Sequence, residues 1–364
     1  MNKIEKIWVM AGRIFFVLTC VFLAVWILTW VFHFSTDKSE KPPFTLYSSA
    51  IDDFAMFKND EDGKHFSDCK SNEYTEAQFH GLLPQFYCRQ LIMDNRLPDT
   101  INGVPVDAKF IQNENFSFKI APSVVNKHEI PLYPLMESMS GRVDLEMPDD
   151  VFRITDNGIE FVDMKTNSVN QEKSDLFMQV FEQKNFAFPA HIVSGNPSVK
   201  KEYDNGYLLT DSNDKLYHLK MMRGRPYLRY IDLPDGMIPK HIFVTEFRNH
   251  KSLAFVSDTE NRFWMLSAKN YSFTQVELPA FNPEAESMTI IGNFHDWTIS
   301  ISSKDALRYY AIAADGLRCL KTYEVPDAEP TTIQRVGNYI LFVQLRLLSA
   351  LDGDVKPRVA FLGE

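Results

Sequence analysis

Cysteine is scarce in this 364-residue chain, with four in all, too few for a disulfide scaffold. No CxxC pair or His/Cys cluster at metal-site spacing occurs, so structural zinc has no ligand set and no metal or cofactor is expected. Basic residues are also in deficit. Lys and Arg number 38 against 48 Asp and Glu, and the formal charge of −10 argues against a nucleic-acid partner. Missing too are a GxSxG elbow, an HExxH helix, a P-loop and a dinucleotide fingerprint. What is there is apolar: 45% hydrophobic residues, 29 of them Phe, enough for a substantial core. This balance excludes disorder, collagen and a polytopic membrane protein. The length fits two domains or one large β architecture.

One long apolar run exists. Ile14 to Phe34 is 21 residues without a formal charge, and as a helix it spans roughly 30 Å, the thickness of a hydrocarbon core. Trp26 and Trp30 sit near its outer end, where indole rings favour the interface. A cleaved signal peptide would have a shorter apolar stretch and a small-x-small exit, whereas this run leaves through Phe32-His33-Phe34. A lipoprotein reading at Cys20 lacks the small residue usual before the cysteine. Lys3, Lys6 and Arg13 outnumber Glu5 ahead of the run, so the positive-inside rule keeps residues 1–13 in the cytoplasm. The expectation is a single-pass anchor over 14–34, a Pro-ended linker over 35–43, and an exported remainder carrying −12.

Residues 44–140 read as a small α+β region. Thr75-Glu76-Ala77-Gln78 is a capping box that starts a helix over 75–94, with Pro84 restarting it and Asn95 and Pro98 ending it. Its apolar face is expected to be Phe86, Tyr87, Leu91 and Ile92. Tyr87, Arg89, Gln90 and Asp99 are the candidate interaction residues here, although such side chains more often fix a helix to its neighbours. Cys69 and Cys88 are a possible disulfide in an exported compartment, with about 3 kcal/mol of stabilisation if the geometry allows. Cys319 reads as a buried thiol.

Residues 141–364 repeat. Prolines end apolar strands at Pro148, Pro189, Pro234, Pro279 and Pro326, at intervals of 41, 45, 45 and 47 residues. Ahead of them lie hairpins: Phe152 to Phe161, Tyr207 to Leu219, Leu253 to Leu266 and Trp297 to Tyr310. The unit from Lys240 to Pro279 holds four strands. Four antiparallel strands at a period near 45 predict a mainly β, β-propeller-like domain of five four-stranded blades, or six if the N-terminal hairpin contributes one. A degenerate unit is expected at Tyr339 to Val343 and Val359 to Leu362, and Val143 to Met147 as a ring-closing strand. Gln171 to Asn185 reads as an inserted helix. Glu246, His250, His295 and Asp296 form an acid/base set if turns on one face converge; the alternative to a binding module is thus an envelope hydrolase or lyase at the propeller mouth. Ser257-Asp258-Thr259-Glu260-Asn261-Arg262-Phe263-Trp264 resembles a sialidase Asp-box with Thr259 in place of its Asp, a structural turn.

The strings Leu82 to Asp99 and Leu132 to Pro148 resemble an uncharacterised Bacteroidetes membrane-protein family, domain of unknown function 4857. Cys88 stands where that pattern has an aromatic residue and Asn95 where it has Gly, departures that weaken a Cys69–Cys88 bridge as a family feature. The resemblance implies no activity and no catalytic residues. It implies a bacterial inner-membrane protein with a periplasmic domain, accompanying an envelope complex or an ABC-type transporter.

Overall fold

The computed structural model describes residues 3–36, 42–60, 63–128, 130–139, 141, 144–303, 306–326, 332–340, 343–349 and 355–361. The chain divides into two compact units, Pro43–Pro326 and Met1–Pro42 with Asp327–Glu364.

Helix α1 (Lys3–Thr36) contains a stretch, Lys6–Phe32, of mean hydropathy 2.6 that is 6% buried by the protein, long and apolar enough to cross a membrane. Its hydroxyls are turned inward. Thr19, Thr29 and Ser35 donate to the carbonyls of Phe15, Val25 and Val31 at 2.7–2.9 Å, which removes polar atoms from an apolar surface.

The larger unit opens with an antiparallel sheet of β1 (Phe44–Ser48), β2 (Asp53–Asp60) and β3 (Gly63–Asp68). The Thr75 capping box forms as expected and starts α2 (Glu76–Leu82). The single helix over 75–94 does not form: the chain breaks at Leu83–Tyr87 around Pro84, and α3 (Cys88–Met93) follows. Proline at position 84 cannot donate to an α-helical ladder, so the turn separates two short helices. Phe79 and Leu91 are buried as a consequence, while Phe86 and Ile92 remain near half exposed. Asn95 ends α3 in the left-handed region, φ 53°, and Arg96 N donates to Leu91 O. Then come β4 (Thr100–Ile101), β5 (Val104–Pro105), α4 (Ala108–Glu114), β6 (Phe116–Ile120) and α5 (Pro122–Val125).

Four further sheets follow in meander order. The first is β7 (Asp150–Ile154), β8 (Ile159–Asp163) and β9 (Ser168–Val169), covered by α6 (Gln171–Gln183), the expected inserted helix. The second is β10 (Ile192–Gly195), β11 (Tyr207–Thr210), β12 (Leu216–Met222) and β13 (Arg225–Ile231). The third is β14 (Pro239–Val244), β15 (Ser252–Asp258), β16 (Phe263–Ser267) and β17 (Phe273–Gln275). The fourth is β18 (Ser287–Gly292), β19 (Asp296–Ser302), β20 (Ala306–Ala313) and β21 (Cys319–Pro326). All four expected hairpins are present.

Apolar layers join these sheets in succession. Phe152, Phe161, Phe177 and Phe181 pack with Tyr207, Leu209 and Tyr217. Leu208 and Leu216 meet Ile242, Ala254 and Val256. Phe255 and Phe263 meet Ile290, Trp297 and Ile299. The N-terminal sheet joins the fourth through Tyr47, Phe54, Tyr309 and Ala311. A four-stranded sheet facing a neighbour on each side buries both faces, and this is a β-propeller architecture. Among the described residues the N-terminal sheet is one of five packed in this way, and three of the five hold a complete four-strand meander.

Strand β6 has no counterpart in the repeat. It pairs with β18, Phe118 opposite Ile290, as a fifth strand on the inner edge of the fourth sheet. Phe116 stacks on Phe247 at 4.4 Å and Phe118 lies 5.0 Å from Phe255, so β6 also seals the third sheet. The first strands of neighbouring sheets adjoin, with Ser194 Oγ donating to Ile242 O at 2.6 Å.

Two expected strands are corrected. Asp144 to Met147 lie in no strand, and Val143 is outside the described residues; the edge beside β7 is instead taken by Tyr133, which exchanges both backbone hydrogen bonds with Phe152. Tyr339 lies in helix α7 (Thr332–Ile340), and β22 (Val343–Ser349) pairs with β23 (Val355–Phe361) as a separate hairpin. Leu362 is outside the described residues. Helix α7 packs on the end of α1, where a side chain at Gly337 would overlap the Phe32 ring.

Candidate functional site

The loops β10–β11, β14–β15 and β18–β19 all leave the first strand of a sheet at the same end, and three cavities lie along this face. One, of about 340 Å³, shares Phe116 and Asn293 with a second of about 320 Å³. The second shares Asn249, Lys251 and Met265 with a third of about 750 Å³. Together they form a row of cavities with shared walls. Salt bridges and ring contacts dock α4 beside it: Lys251 Nζ meets Glu114 Oε2 at 2.7 Å, and Phe110 lies 5.2 Å from Phe294.

The 340 Å³ cavity is the best-built site. Its walls include Leu46, Leu83, Phe116 and Ile291, with Phe86 half exposed. Its polar lining residues include Gln85, Asn115 and Asp296, beside Ser117, Asn293 and Thr298. Gln85, on the turn that Pro84 imposes, is 8% exposed and its Nε2 has no partner. Asn115, the C-cap of α4, donates from Nδ2 to Gln85 O at 2.8 Å, which leaves its buried Oδ1 unpaired. Asp296 opens β19 at 3% exposure, accepting from Asn293 Nδ2 at 3.0 Å. Burial raises its carboxyl to about 6, against the weaker opposing effects of the Asn293 hydrogen bond and His295. Buried polar groups are normally paired, so the unmet Gln85 Nε2 and Asn115 Oδ1, both closed off from solvent behind the cavity wall, and a buried carboxyl with a raised pKa mark this as the most polar-strained part of the face.

The 750 Å³ cavity is polar and rests on a buried ion network. Lys201 Nζ lies 2.7 Å from both Asp204 Oδ1 and Glu246 Oε1 and donates to Asn196 O at 2.6 Å; all three charged side chains are at most 5% exposed. Glu246 also accepts from Asn205 N and Asn196 Nδ2, both at 2.7 Å. Burial raises the Glu246 carboxyl despite these donors. Lys220, on the cavity wall, is lowered by burial and donates to Asn205 Oδ1 at 3.2 Å. Behind it His218 is depressed to about 3 by burial, so the ring is neutral: Nε2 donates to Asn205 O and Nδ1 accepts from Tyr271 OH.

The four acid/base candidates divide between these places. Glu246 is occupied by Lys201 and Asn205. His250, exposed at φ 51°, stacks on Tyr203 at 4.0 Å beside the large cavity. Asp296 lines the small cavity, and its neighbour His295 is exposed on the β18–β19 turn. Of the helix candidates, Tyr87 stacks on His80 at 4.3 Å, Gln90 donates to Asp94 at 2.9 Å, and Arg89 and Asp99 are exposed. None of these four lines the 340 Å³ cavity; Gln85, in the same string, does. Asn115 had no sequence signal beyond its place before an alternating Phe-Ser-Phe strand.

Cys69 and Cys88 are free thiols. Cys69 packs against the Tyr47–Phe54–Tyr309 cluster and burial pushes it up to about 11, while Cys88 opens α3. Cys319 is free and half-buried. The Asp-box-like turn is structural: Asp258, fully buried, accepts from Glu260 N, Arg262 N and Trp264 Nε1 at 2.9–3.0 Å. Asp211 does the same for Asn213 N and Lys215 N in the preceding sheet, the repeat written into two turns. Among the described residues no group of three or more His, Cys, Asp or Glu side chains is placed to hold a metal ion.

A family described as domain of unknown function DUF4857 matches residues 44–312. No curated protein matches. Similar solved structures include Kuenenia stuttgartiensis hydrazine synthase (11% identity, 64% of this chain and 57% of that one, TM-score 0.28) and YCF48 from Cyanidioschyzon merolae (10%, 59% and 65%, TM-score 0.30). A third is the WD40 domain of SCAP from fission yeast (8%, 88% and 87%, TM-score 0.32). The chain thus spans under two thirds of the first two. At these scores no residue role or activity transfers.

Proposed function

The chain belongs to the DUF4857 family, and we propose that it is a membrane-anchored, non-enzymatic binding module. In this reading α1 stays in a bacterial inner membrane with its N-terminus in the cytoplasm, and the propeller stands in the periplasm. The cavity-lined face then engages an envelope partner, with an ABC-type transporter as the partner class. The observation that carries it is the row of three cavities with shared walls on one face, because an accessible concave surface built from loops on rigid sheets is how repeat folds bind. The excess of Lys3, Lys6 and Arg13 over Glu5 before the apolar run supports the orientation.

The test is affinity capture from detergent-solubilised membranes, comparing the full chain with residues 1–43 alone. The reading expects a saturable partner with the full chain that the anchor does not capture. Equal capture by both, or none by either, overturns it. A cysteine-labelling assay on intact spheroplasts checks the orientation: a Cys placed at exposed Lys269 should react with an impermeant maleimide. Protection until lysis would contradict a periplasmic propeller.

A further inference from the structure

The unit formed by Met1–Pro42 and Asp327–Glu364 carries an apolar face that none of the described residues covers. Helix α7 packs against the last turns of α1, and Gly337 is its buried residue, with the Phe32 ring where a side chain would stand. Small residues permit this close approach of helices in apolar surroundings. Beside that contact a cleft of about 630 Å³ runs between the helices, walled by Leu28, Val31 and Phe32 from α1 and by Ile333, Val336 and Gly337 from α7. Among the described residues Thr332 gives it its one polar side chain. Ile333, Val336 and Tyr339 fall at every third position of α7 and are 67%, 54% and 86% exposed. Nine residues are too few for a helix to hold in water by propensity alone, so α7 needs that face covered. What covers it can be read from α1. Leu28 and Val31 belong to the Lys6–Phe32 stretch, of which the protein buries only 6%, so the cleft continues the surface that α1 offers to lipid. Phe32 is the last residue of that stretch, which puts α7 where hydrocarbon gives way to headgroups. The one charged residue of α7 is basic, Arg335, so no carboxylate on the helix opposes an anionic lipid surface.

We propose that α7 is a second membrane element: it lies in the bilayer interface with Ile333, Val336 and Tyr339 towards the lipid, and the α1–α7 cleft holds an acyl chain of a phospholipid. An amphipathic helix of this kind buries its apolar face at the boundary of headgroups and acyl chains, where a tyrosine ring is also at home. Residues 332–340 are thereby held at the same membrane as the anchor, although the whole propeller lies between the two in sequence. The inference goes beyond the binding face of the propeller, and it rests on α1 being a retained anchor.

Photo-crosslinking to lipid tests it. Benzoylphenylalanine is placed singly at Val336, at Tyr339, at exposed Trp30 in α1 and at exposed Lys269 on the propeller. The full chain is irradiated in vesicles of phosphatidylethanolamine and phosphatidylglycerol, and again in isolated bacterial membranes, and the adducts are identified by intact mass. Phospholipid adducts are expected from positions 30, 336 and 339 in both settings, with position 269 at least tenfold lower. Val336→Asp should cut the lipid yield from position 339 at least fivefold and leave the yield from position 30 and the cooperative melt unchanged; an undiminished yield from 339 would mean that the apolar face does not hold α7 at the bilayer. Lipid adducts from position 30 with none from 336 overturn the proposal and leave the anchor reading standing. A product of twice the chain mass from 336 gives the cleft to a second copy, and a protein adduct in place of lipid in bacterial membranes gives it to a partner's helix; either overturns it. No lipid adduct from position 30 removes the anchor reading and this inference together.

Discussion

Replacing Asp296 by Asn should stabilise the protein at neutral pH. The carboxyl is 3% exposed and is raised from 3.8 to about 6 by burial, which outweighs the Asn293 hydrogen bond and the nearby His295. The folded state therefore holds this proton more tightly than the unfolded chain does. Its contribution to stability is complete below pH 4 and is lost as pH rises through 6. A displacement of about two units is worth about 3 kcal/mol. Asn keeps an oxygen that accepts from Asn293 Nδ2 and carries no charge at any pH. Urea unfolding of both proteins in the same detergent, at pH 4, 5, 6 and 7.5, isolates the effect, because the other carboxyls titrate in both. Asp68, lowered to about 2 by hydrogen bonds from Asn72 and Tyr74 that outweigh its burial, moves total stability the opposite way. The variant should match the wild type at pH 4 and exceed it by about 2–3 kcal/mol at pH 7.5. A difference that does not change with pH, or a less stable variant at pH 7.5, would show that Asp296 is not held as a costly buried acid.

Three other substitutions test the scaffold by the same unfolding assay at pH 7.5. Lys201→Met strands Asp204 and Glu246 without their shared cation and should cost about 3–5 kcal/mol; a cost under 1 kcal/mol would mean the network is solvated. Asp258→Ala removes the buried acceptor of four N–H donors, Arg262 Nε among them, and should cost about 2–4 kcal/mol, whereas the same change at exposed Asp315 should cost under about 0.5 kcal/mol. Phe116→Ala removes the ring shared by Phe247 and Trp297 and should cost about 3–5 kcal/mol; a near-neutral result would mean β6 does not seal the inner edge.

The repeat was readable because its signals are local. Hairpins such as Tyr207 to Leu219 announce themselves by two apolar runs around Asp211-Ser212-Asn213-Asp214, and the Asp turns fix their spacing. The Thr75 capping box was readable for the same reason. What failed was long-range. Phe116 to Ile120 alternates like a strand, but its partner β18 lies about 170 residues on, and no local rule pairs them. Val143 to Met147 alternates too, yet Tyr133 reached Phe152 first. Tyr339 is apolar and lies near strands, but the 332–340 segment spaces its apolar residues as a helix does, with Ile333 and Val336 three apart. The ion pair of Glu246 with Lys201 joins residues 45 apart in sequence, which no local pattern announces. Gln85 was hidden in plain view: a polar residue between Pro84 and Phe86 looks solvated until the turn buries it.

The central claim, that one face of the propeller is the binding face, is tested most directly by site-specific photo-crosslinking in intact membranes. A photoreactive residue at Asn249, in the row of cavities, is compared with one at Asn213, on a β11–β12 turn at the opposite end of the sheets. The account predicts a discrete adduct from position 249 and none from 213. Adducts from 213 alone, or equally from both, would contradict it.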